Sequence, residues 1–169
     1  MKLLTAIFAA TAFACATLGY YIRDTPKDCL TRDEAQSIVD VYQRLIANYT
    51  SDDCDKYCAD EFVDVSDSIN TFLNQPLGGP TFATKEIFME AQTYNPPFPL
   101  VVESVDAVDC DVIALQWHAA FGEANKTSKG ITILHNTKEK GYWQIKDIYV
   151  EFNSLTWLLD MGGSYVWEG

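Results

Sequence analysis

Basic residues are scarce in this sequence: 12 Lys and Arg stand against 24 Asp and Glu, which gives a net charge of −12. A surface of this charge repels nucleic-acid phosphates and anionic lipids. No patch or helical stripe of lysines interrupts the acidity. The composition therefore argues against any nucleic-acid partner.

Histidine is rare, and the motifs of several cofactor and metal sites are missing. The two histidines, His118 and His135, lie far apart and lack the spacing of metal ligands. There is no Gly-rich phosphate loop, no Gly-x-Ser-x-Gly elbow, no His-Glu-x-x-His helix and no Cys-x-x-Cys pair. We therefore expect no metal ion and no cofactor.

An apolar run long enough to span a membrane is absent, but a shorter one begins the chain. After Lys2, residues 3–14 are almost uninterruptedly apolar, and Ala14-Cys15-Ala16 matches a small-residue cleavage site. The run is too short for a convincing membrane span. We predict a signal peptide over residues 1–16, entry into the secretory pathway with a secreted or lumenal destination, and no span after processing.

Removing the signal peptide leaves four of the five cysteines, and an even number in a secretory chain predicts two disulfides. All three pairings stay open. The spacing of two of them could serve a metal, but an oxidising compartment and the lack of a nearby histidine disfavour this. Asn48 and Asn125 begin Asn-x-Thr glycosylation acceptors. The four predicted disulfide cysteines are Cys29, Cys54, Cys58 and Cys110.

The first half of the sequence is predicted to be mostly helical. Thr31-Arg32-Asp33-Glu34 matches a capping box, in which the threonine and the glutamate satisfy free amides at a helix start. Apolar residues then recur at helical spacing on one face, which predicts an amphipathic helix over residues 31–49. A short second helix and a strand over residues 62–67 follow, and Thr84 is predicted to cap a third helix.

The second half is β-rich. Helices followed by long antiparallel strands predict an α+β fold, in which helices pack on one face of a strongly bent antiparallel sheet. We find no internal repeat, and we predict an extended lead-in over residues 17–28 and a single domain over residues 29–169. The predicted strands cover about residues 98–106, 111–121, 129–136 and 142–153, and a short helix covers 155–160.

Element order and strand texture together resemble a known superfamily. The stretches FVDVSDSIN (residues 62–70), GITIL (130–134) and WQIKDIYVEFN (143–153) look like those of secreted fungal members of the nuclear transport factor 2-like, SnoaL-like and ketosteroid isomerase-like superfamily. The resemblance covers about residues 30–160. It implies a cone-shaped α+β barrel with helices packed on the concave face of the sheet, a pocket for a hydrophobic small molecule, and a possible homodimer.

The resemblance also implies a catalytic carboxylate near the first strand, since ketosteroid isomerase moves a proton this way and stabilises the enolate with a tyrosine and a second acid. By position this carboxylate is Asp67, or Asp64. If FVDVSDSIN is one strand, Asp67 shares a face with Val63 and Val65, and an apolar surround raises the pKa of a carboxylate toward that of a useful base. Alternatively, Asp67 accepts backbone amides at a turn, and Asp64 is solvated.

Three further residues are candidates to polarise a substrate carbonyl. Tyr42 and Tyr49 lie on the apolar stripe of the first helix, where each hydroxyl either points into the pocket or makes one internal hydrogen bond in the core. His118 shares a strand face with small residues. That face either makes room for a ligand or is the outer, solvated or dimerising side of the sheet.

The last strand supplies candidate binding residues. Tyr149, Glu151 and Asn153 share one face and would line the pocket if that face points inward. If the other face, with residues 148, 150 and 152, points inward, they are surface groups. The sequence pattern leaves both orientations open.

These observations predict a cofactor-free isomerase or cyclase that uses acid/base proton transfer in a hydrophobic pocket. Asp67 is the predicted base, and Tyr42, Tyr49 or His118 is the carbonyl-polarising group. The resemblance places the chemistry in fungal specialised metabolism, where related cyclases join maleic-anhydride monomers into maleidrides. The competing hypothesis is a secreted, non-catalytic protein that binds a hydrophobic ligand or a protein partner.

Overall fold

A computed structural model describes residues 29–168. The predicted signal peptide, its cleavage site and the lead-in over residues 17–28 lie outside the described residues. In chain order the elements are α1 (Arg32–Ala47), α2 (Ser51–Tyr57), β1 (Cys58–Val65), α3 (Asp67–Leu73), α4 (Lys85–Thr93), β2 (Leu100–Val108), β3 (Val112–Ala119), β4 (Ser128–Glu139), β5 (Tyr142–Phe152) and α5 (Ser154–Asp160).

The predicted capping box at the start of α1 is confirmed. Glu34 N donates to Thr31 Oγ1 at 3.2 Å, and Thr31 N donates to Glu34 Oε2 at 2.9 Å. These bonds satisfy amides that have no partner inside the helix. The apolar stripe of α1 is buried against the sheet: Ala35, Ile38, Val39, Val41, Tyr42 and Leu45.

The five strands form one sheet in the order β1-β5-β4-β3-β2. The pairs β2–β3, β3–β4 and β4–β5 are antiparallel, and β1 pairs parallel to the other edge of β5. The sheet is strongly curled but not closed. Because side chains alternate across a strand, one set of residues points into the curl, where the helices cover it. The predicted α+β fold is therefore confirmed.

The first strand ends earlier than FVDVSDSIN suggested. β1 stops at Val65, and Ser66 caps α3 by accepting a hydrogen bond from Ile69 N at 3.1 Å. The prediction that Asp67 continues the strand on the face of Val63 and Val65 is wrong, because the serine side chain replaces the next strand hydrogen bonds with a helix cap. Asp67 is instead the first residue of α3.

One of the two predicted disulfides is present. Cys29 and Cys110 are bonded, which ties the chain before α1 to the turn between β2 and β3. Cys54 and Cys58 are buried thiols with their sulfur atoms 3.0 Å apart, so the prediction of a second disulfide is corrected to a pair of thiols in contact. Their separation of four residues places Cys54 in the middle of α2 and Cys58 at the start of β1, where both side chains meet in the core.

Candidate active site

A partly open cavity of about 320 Å³ lies between the concave face of the sheet and the helices. Its volume is at the lower end of the range for small-molecule sites. Edge-on and tilted aromatic contacts link neighbouring parts of the wall, with ring centroids 4.6–5.6 Å apart for the pairs Phe98–Phe121, Phe152–Trp157 and Phe121–Trp157. Six of the lining side chains are Phe82, Phe98, Trp117, Phe121, Phe152 and Trp157.

Asp64 is the only carboxyl group among the described residues that line this cavity. Hydrogen bonds between β1 and residues 81–82 fix the backbone of Asp64. Asp64 N donates to Phe82 O at 3.0 Å, and Thr81 N donates to Asp64 O at 2.8 Å. The side chain is 2% exposed, and Oδ1 has no hydrogen-bond partner in residues 29–168.

Burial raises the pKa of Asp64 to about 7. Taking a carboxylate out of water disfavours its charged form, and no neighbouring cation offsets this effect. A carboxyl group that titrates near neutral pH exists in both forms under physiological conditions. It can therefore accept a proton from a ligand and return it.

Tyr42 faces the same cavity from α1. Its hydroxyl lies 2.7 Å from Thr132 Oγ1 on β4, and Trp117 Nε1 on β3 donates to the same threonine oxygen at 2.9 Å. Burial raises the pKa of Tyr42, and the hydrogen bonds with Thr132 and Trp117 act in the opposite direction. Tyr42 is therefore a neutral hydroxyl at physiological pH, available for hydrogen bonding to a ligand.

Gly130 on β4 leaves the space that the Trp117 ring occupies. A methyl group at Gly130 would lie 2.3 Å from Trp117 Cζ2, which is closer than any real contact. The two residues are paired across β3 and β4, two positions away from Thr132 along the strand. The missing side chain thus lets the indole lie against β4 with its N–H directed at the threonine.

Trp157 Nε1, also in the wall, is buried and has no hydrogen-bond partner in residues 29–168. Two further polar side chains of the wall pair with each other. Asn95 Nδ2 donates to Gln92 Oε1 at 3.0 Å at the end of α4. Within residues 29–168 no group of three or more His, Cys, Asp or Glu side chains is arranged to hold a metal ion. The chemistry available from the described residues is therefore that of one carboxyl group, one phenol and one indole N–H donor in a largely apolar pocket.

A wider depression of about 640 Å³ lies between α1 and residues 97–100. It is open to solvent, and its polar side chains are already engaged: Arg44 pairs with Asp53 at 2.9 Å, and Gln43 donates to Leu100 O at 2.7 Å. We assign it no chemistry.

Asp67 and His118 lie outside the cavity. Asp67 Oδ1 accepts a hydrogen bond from Gly78 N at 2.6 Å, which matches the turn role that was the alternative to a base. His118 lies on the outer face of β3, where its Nδ1 is 2.9 Å from Glu103 Oε1. The neighbouring residue Trp117 points inward in its place. Neither predicted catalytic side chain can therefore reach a ligand in the cavity.

Tyr49 and the three candidate binding residues of β5 also lie away from the cavity. Tyr49 packs edge-on against Phe88 with ring centroids 6.5 Å apart. Tyr149 is 43% exposed, Glu151 accepts from Asp67 N at 2.7 Å and so caps α3, and Asn153 caps α5. The inward face of β5 is the other one, since Val150 and Phe152 line the cavity. The interpretation of residues 149, 151 and 153 as pocket groups is corrected accordingly.

Thr132 and Trp117 are site residues that the sequence did not single out, and Asp64 is the second of the two carboxylates that it offered. The strand pattern favours solvation of Asp64 because Ser66 shares its face, whereas Val63 and Val65 share the other. In the fold the face of Asp64 is the buried one, and Phe62 on the same face is 1% exposed. The aromatic ring two residues before Asp64 was the signal that could have identified the inward side.

Only one comparison by sequence gives a match, and it covers most of the chain. Residues 28–164 match the family model described as an NTF2-like domain. A curled sheet with an internal cavity covered by helices defines this class of α+β proteins. The chain belongs to the NTF2-like family. None of the curated proteins matches it in sequence.

Solved structures share the fold at low sequence identity. IdmH from Streptomyces antibioticus, a proposed polyketide cyclase, is 12% identical, with a TM-score of 0.54, covering 75% of this chain and 97% of its own. A SnoaL-like protein of unknown function from Burkholderia thailandensis is 15% identical, with a TM-score of 0.56 and coverage of 74% and 98%. A protein with a ketosteroid isomerase-like fold from Catenulispora acidiphila, in complex with trimethylamine, is 11% identical, with a TM-score of 0.56 and coverage of 78% and 97%.

Across residues 29–168, none of the helices has the length and apolar character needed to cross a membrane.

Proposed function

We propose that this protein is a cofactor-free isomerase or cyclase that transfers a proton within the aromatic cavity, with Asp64 as the base. The observation that carries this proposal is the environment of Asp64. A carboxyl group that is 2% exposed, lacks a partner for Oδ1 and faces an apolar cavity costs folding free energy. Such a cost is typical of functional sites.

The proposed step begins with the ionised Asp64 carboxylate. It takes a proton from a carbon next to a substrate carbonyl, the electron pair of the C–H bond forms a C=C bond, and the carbonyl oxygen becomes an enolate. Tyr42 donates a hydrogen bond to that oxygen, which stabilises its developing charge. In a substrate with a β,γ C=C bond, this enolate is a dienolate. Neutral Asp64 returns the proton to its γ-carbon, the enolate electrons re-form the carbonyl, and the C=C bond ends in the α,β position, which completes an isomerisation. In a cyclisation, the enolate carbon instead attacks the carbon of a second carbonyl group in the substrate. The π electrons of that carbonyl move to its oxygen, and neutral Asp64 protonates the resulting alkoxide.

The structural relatives support the class of reaction. IdmH is described as a proposed polyketide cyclase, and carbon–carbon cyclisation by proton transfer belongs to the chemistry proposed here. The aromatic lining of the cavity supports a hydrophobic small molecule, which is the partner we propose for it.

We further propose that the enzyme acts in fungal specialised metabolism, and that one reaction it could catalyse is the joining of maleic-anhydride monomers. It rests on the resemblance of the strand sequences to secreted fungal relatives. We further propose passage through the secretory pathway and glycans on Asn48 and Asn125, because both asparagines are exposed. Peptide mass spectrometry of protein recovered from the culture medium tests this, and unmodified asparagines in secreted protein would refute the glycans.

The proposal is tested by comparing metabolites by mass spectrometry in four strains of the native host. These carry the wild-type gene, a deletion, Asp64→Asn and Asp67→Asn, with protein levels checked in each. We expect the deletion and Asp64→Asn to accumulate the same unconverted precursor. Asp67→Asn is the matched control: it makes the same chemical change three residues away and should leave the product unchanged.

The same experiment separates catalysis from binding alone. Asn at position 64 keeps the shape of the side chain but cannot accept a proton from carbon. If Asp64→Asn makes the normal product while the deletion does not, the protein acts by binding its ligand without proton transfer. If metabolites are unchanged even by deletion, the enzymatic proposal fails entirely.

A further inference from the structure

Four of the residues that line the cavity are exposed, and they mark where it opens to solvent. Leu73 is the last residue of α3 and is 50% exposed, and Met161 follows α5 and is 59% exposed. Asn95 and Pro96 follow α4. The mouth of the cavity therefore lies between the C-terminal ends of three helices, and Leu73 and Met161 give its rim exposed apolar surface.

The chain leaves α5 at this rim through a glycine cap. Gly162 has a φ of +81°, a left-handed conformation that glycine adopts without steric cost. Gly162 N donates to Leu159 O at 3.3 Å, and Gly163 N donates to Leu158 O at 2.8 Å. These are the two hydrogen bonds of a Schellman motif, which ends a helix in a defined geometry. The residues after Gly163 therefore start beside the mouth, close behind Met161.

Residues 164–168, which we call the tail, carry three consecutive large apolar side chains that are exposed. Tyr165 is 53% exposed, Val166 is 86% exposed and Trp167 is 82% exposed. Within residues 29–168 the tail takes part in no backbone hydrogen bond. It also lies almost entirely beyond the NTF2-like domain, whose match ends at residue 164. Large apolar side chains exposed together mark a surface that binds something.

The tail is long enough to reach across the mouth. Trp167 follows Gly163 by four residues, and an extended chain of that length spans at most about 14 Å. That length exceeds the width of a cavity of about 320 Å³. Because the tail is tethered at the rim, its effective concentration there is on the order of millimolar. A contact between tail and rim within the chain therefore forms ahead of one with a separate partner of the same apolar chemistry.

We propose that the tail is a strap that closes over the mouth of the cavity when an apolar ligand is bound, with Val166 and Trp167 packing on Leu73 and Met161. A ligand that fills the cavity gives these side chains a continuous apolar surface to cover, whereas without a ligand the same movement leaves them facing water. Ligand binding and closure therefore strengthen each other, because coupling between two binding events is reciprocal. Closure of this kind goes beyond the proposed function, since it occurs whether the ligand is converted or only bound.

A pair of cysteine substitutions tests whether the tail reaches the rim. Val166→Cys is combined with Leu73→Cys and, as the matched control, with Ile131→Cys, which changes a residue that is 57% exposed on the outer face of the sheet. Both chains are oxidised in a glutathione buffer, with and without the hydrocarbon probe indane. We expect Leu73→Cys with Val166→Cys to form a disulfide within one chain, about tenfold faster with indane, a typical coupling between two sites. The control pair should not cross-link, and peptide mass spectrometry identifies each bond.

The effect of closure on the ligand is tested by removing the apolar surface of the tail. Val166→Ser and Trp167→Ser together should weaken indane binding by about tenfold, the effect of exposing the greater part of one apolar side chain. Val108→Ser, which replaces a valine on β2 that is 39% exposed, makes the same change away from the mouth and should leave binding unchanged. Titration calorimetry measures the affinities, and near-ultraviolet circular dichroism establishes that each variant is folded.

The outcomes separate closure from its alternatives. Cross-linking of Leu73→Cys with Val166→Cys at one rate with and without indane overturns the dependence on a ligand. Disulfides that form only between two chains assign the tail to a second copy, and a shift of Trp167 emission with phosphatidylcholine vesicles in the absence of any cross-link assigns it to a lipid surface; both overturn the strap. If indane does not bind saturably to the wild type, closure over an apolar ligand fails. None of these variants changes Asp64, so the Asp64→Asn metabolite comparison decides the catalytic proposal separately.

Discussion

Asp64 and Asp67 lie three residues apart and meet opposite environments. The Asp64 carboxyl group is enclosed by the cavity wall, whereas Asp67 is half-buried at the start of α3 and holds the amide of Gly78. The difference arises at Ser66, which ends the strand and turns the chain into a helix. A single capping residue thus determines which of two neighbouring carboxyl groups reaches the cavity.

The raised pKa of Asp64 predicts an unusual dependence of stability on pH. An unfolded Asp titrates near 3.8, whereas burial raises the pKa of Asp64 to about 7 in the fold. Between these values the unfolded chain releases a proton that the folded chain keeps, so this group makes the free energy of unfolding fall as pH rises from 4 to 7. The shift corresponds to about 4 kcal/mol. Well above pH 7 both states are ionised at this position, so the loss of unfolding free energy no longer changes with pH.

Asp64→Asn removes this titration. We expect the difference in unfolding free energy, variant minus wild type, to grow by about 4 kcal/mol in favour of the variant between pH 4 and pH 8. Urea denaturation at several pH values measures it. Asp67→Asn is the control and should show no such gain, because its carboxyl group is not enclosed in the cavity. A difference for Asp64→Asn that is flat with pH would contradict the burial of an ionisable group at this position.

At the scale of elements, Asp160 joins α5 to the loop after β3. The side chain is 1% exposed, and its two oxygens accept from the backbone amides of Phe121, Gly122 and Lys126 at 2.6–2.7 Å. Burial alone would raise the pKa of Asp160, but these three amides hold it below its usual value. The contact matters for the cavity because Phe121 forms part of its wall.

Asp160→Asn is expected to lower the free energy of unfolding by about 3 kcal/mol at pH 7, since an amide nitrogen would face at least one backbone donor. The pKa of Asp160 is lowered, so this stabilisation is present above pH 4 and is lost as pH falls through the folded value. Urea denaturation at pH 7 measures the loss. Glu123→Gln, in the same loop and exposed, makes the same change in charge and should leave stability nearly unchanged.

Local sequence signals predicted the elements whose stability is local. The capping box defined the start of α1, and alternation defined β3 to β5, because these patterns depend on neighbours along the chain. The end of β1 combines the local cap of Ser66 with contacts from elsewhere: Glu151 of β5 accepts the amide of Asp67, and Phe82 pairs with Asp64. Burial of Asp64 requires these distant partners, so the sequence around it could not reveal which face points inward.

The pairing of the cysteines likewise could not be predicted from local sequence. An even number of cysteines correctly indicated a disulfide, but its pairing of Cys29 with Cys110 joins residues 81 positions apart and depends on the finished sheet. The hydrogen bond between Tyr42 and Thr132 at the cavity was equally unpredictable, since the two residues are separated by 90 positions in sequence. The sequence could predict that Tyr42 lies on the inward stripe of α1. It could not predict that Thr132 is the hydrogen-bond partner of Tyr42.

At the scale of the whole molecule, the outer face of the sheet is partly apolar. Ile131, Ile133 and Tyr149 are 57%, 39% and 43% exposed and lie side by side on β4 and β5, where Ile133 pairs with Tyr149. Exposed apolar patches on a sheet are typical of protein–protein contacts. The resemblance of the sequence to dimerising proteins implied a homodimer without indicating which face forms it. We propose that two copies associate through this outer face.

The charge of the chain gives this dimer a characteristic dependence on salt. Each copy carries a net charge of −12, so two copies repel each other, and the repulsion is screened over about 10 Å at 0.1 M salt and about 3 Å at 1 M. We therefore expect dimer affinity to rise with ionic strength, which light scattering at a series of salt concentrations measures. Ile131→Glu should abolish association. Ile87→Glu replaces an isoleucine on α4 that is 48% exposed, adds the same charge away from the sheet and should weaken association only slightly. A wild-type chain that stays monomeric at high concentration and 1 M salt would show that this face contacts no second copy, and its apolar side chains would then need a different partner.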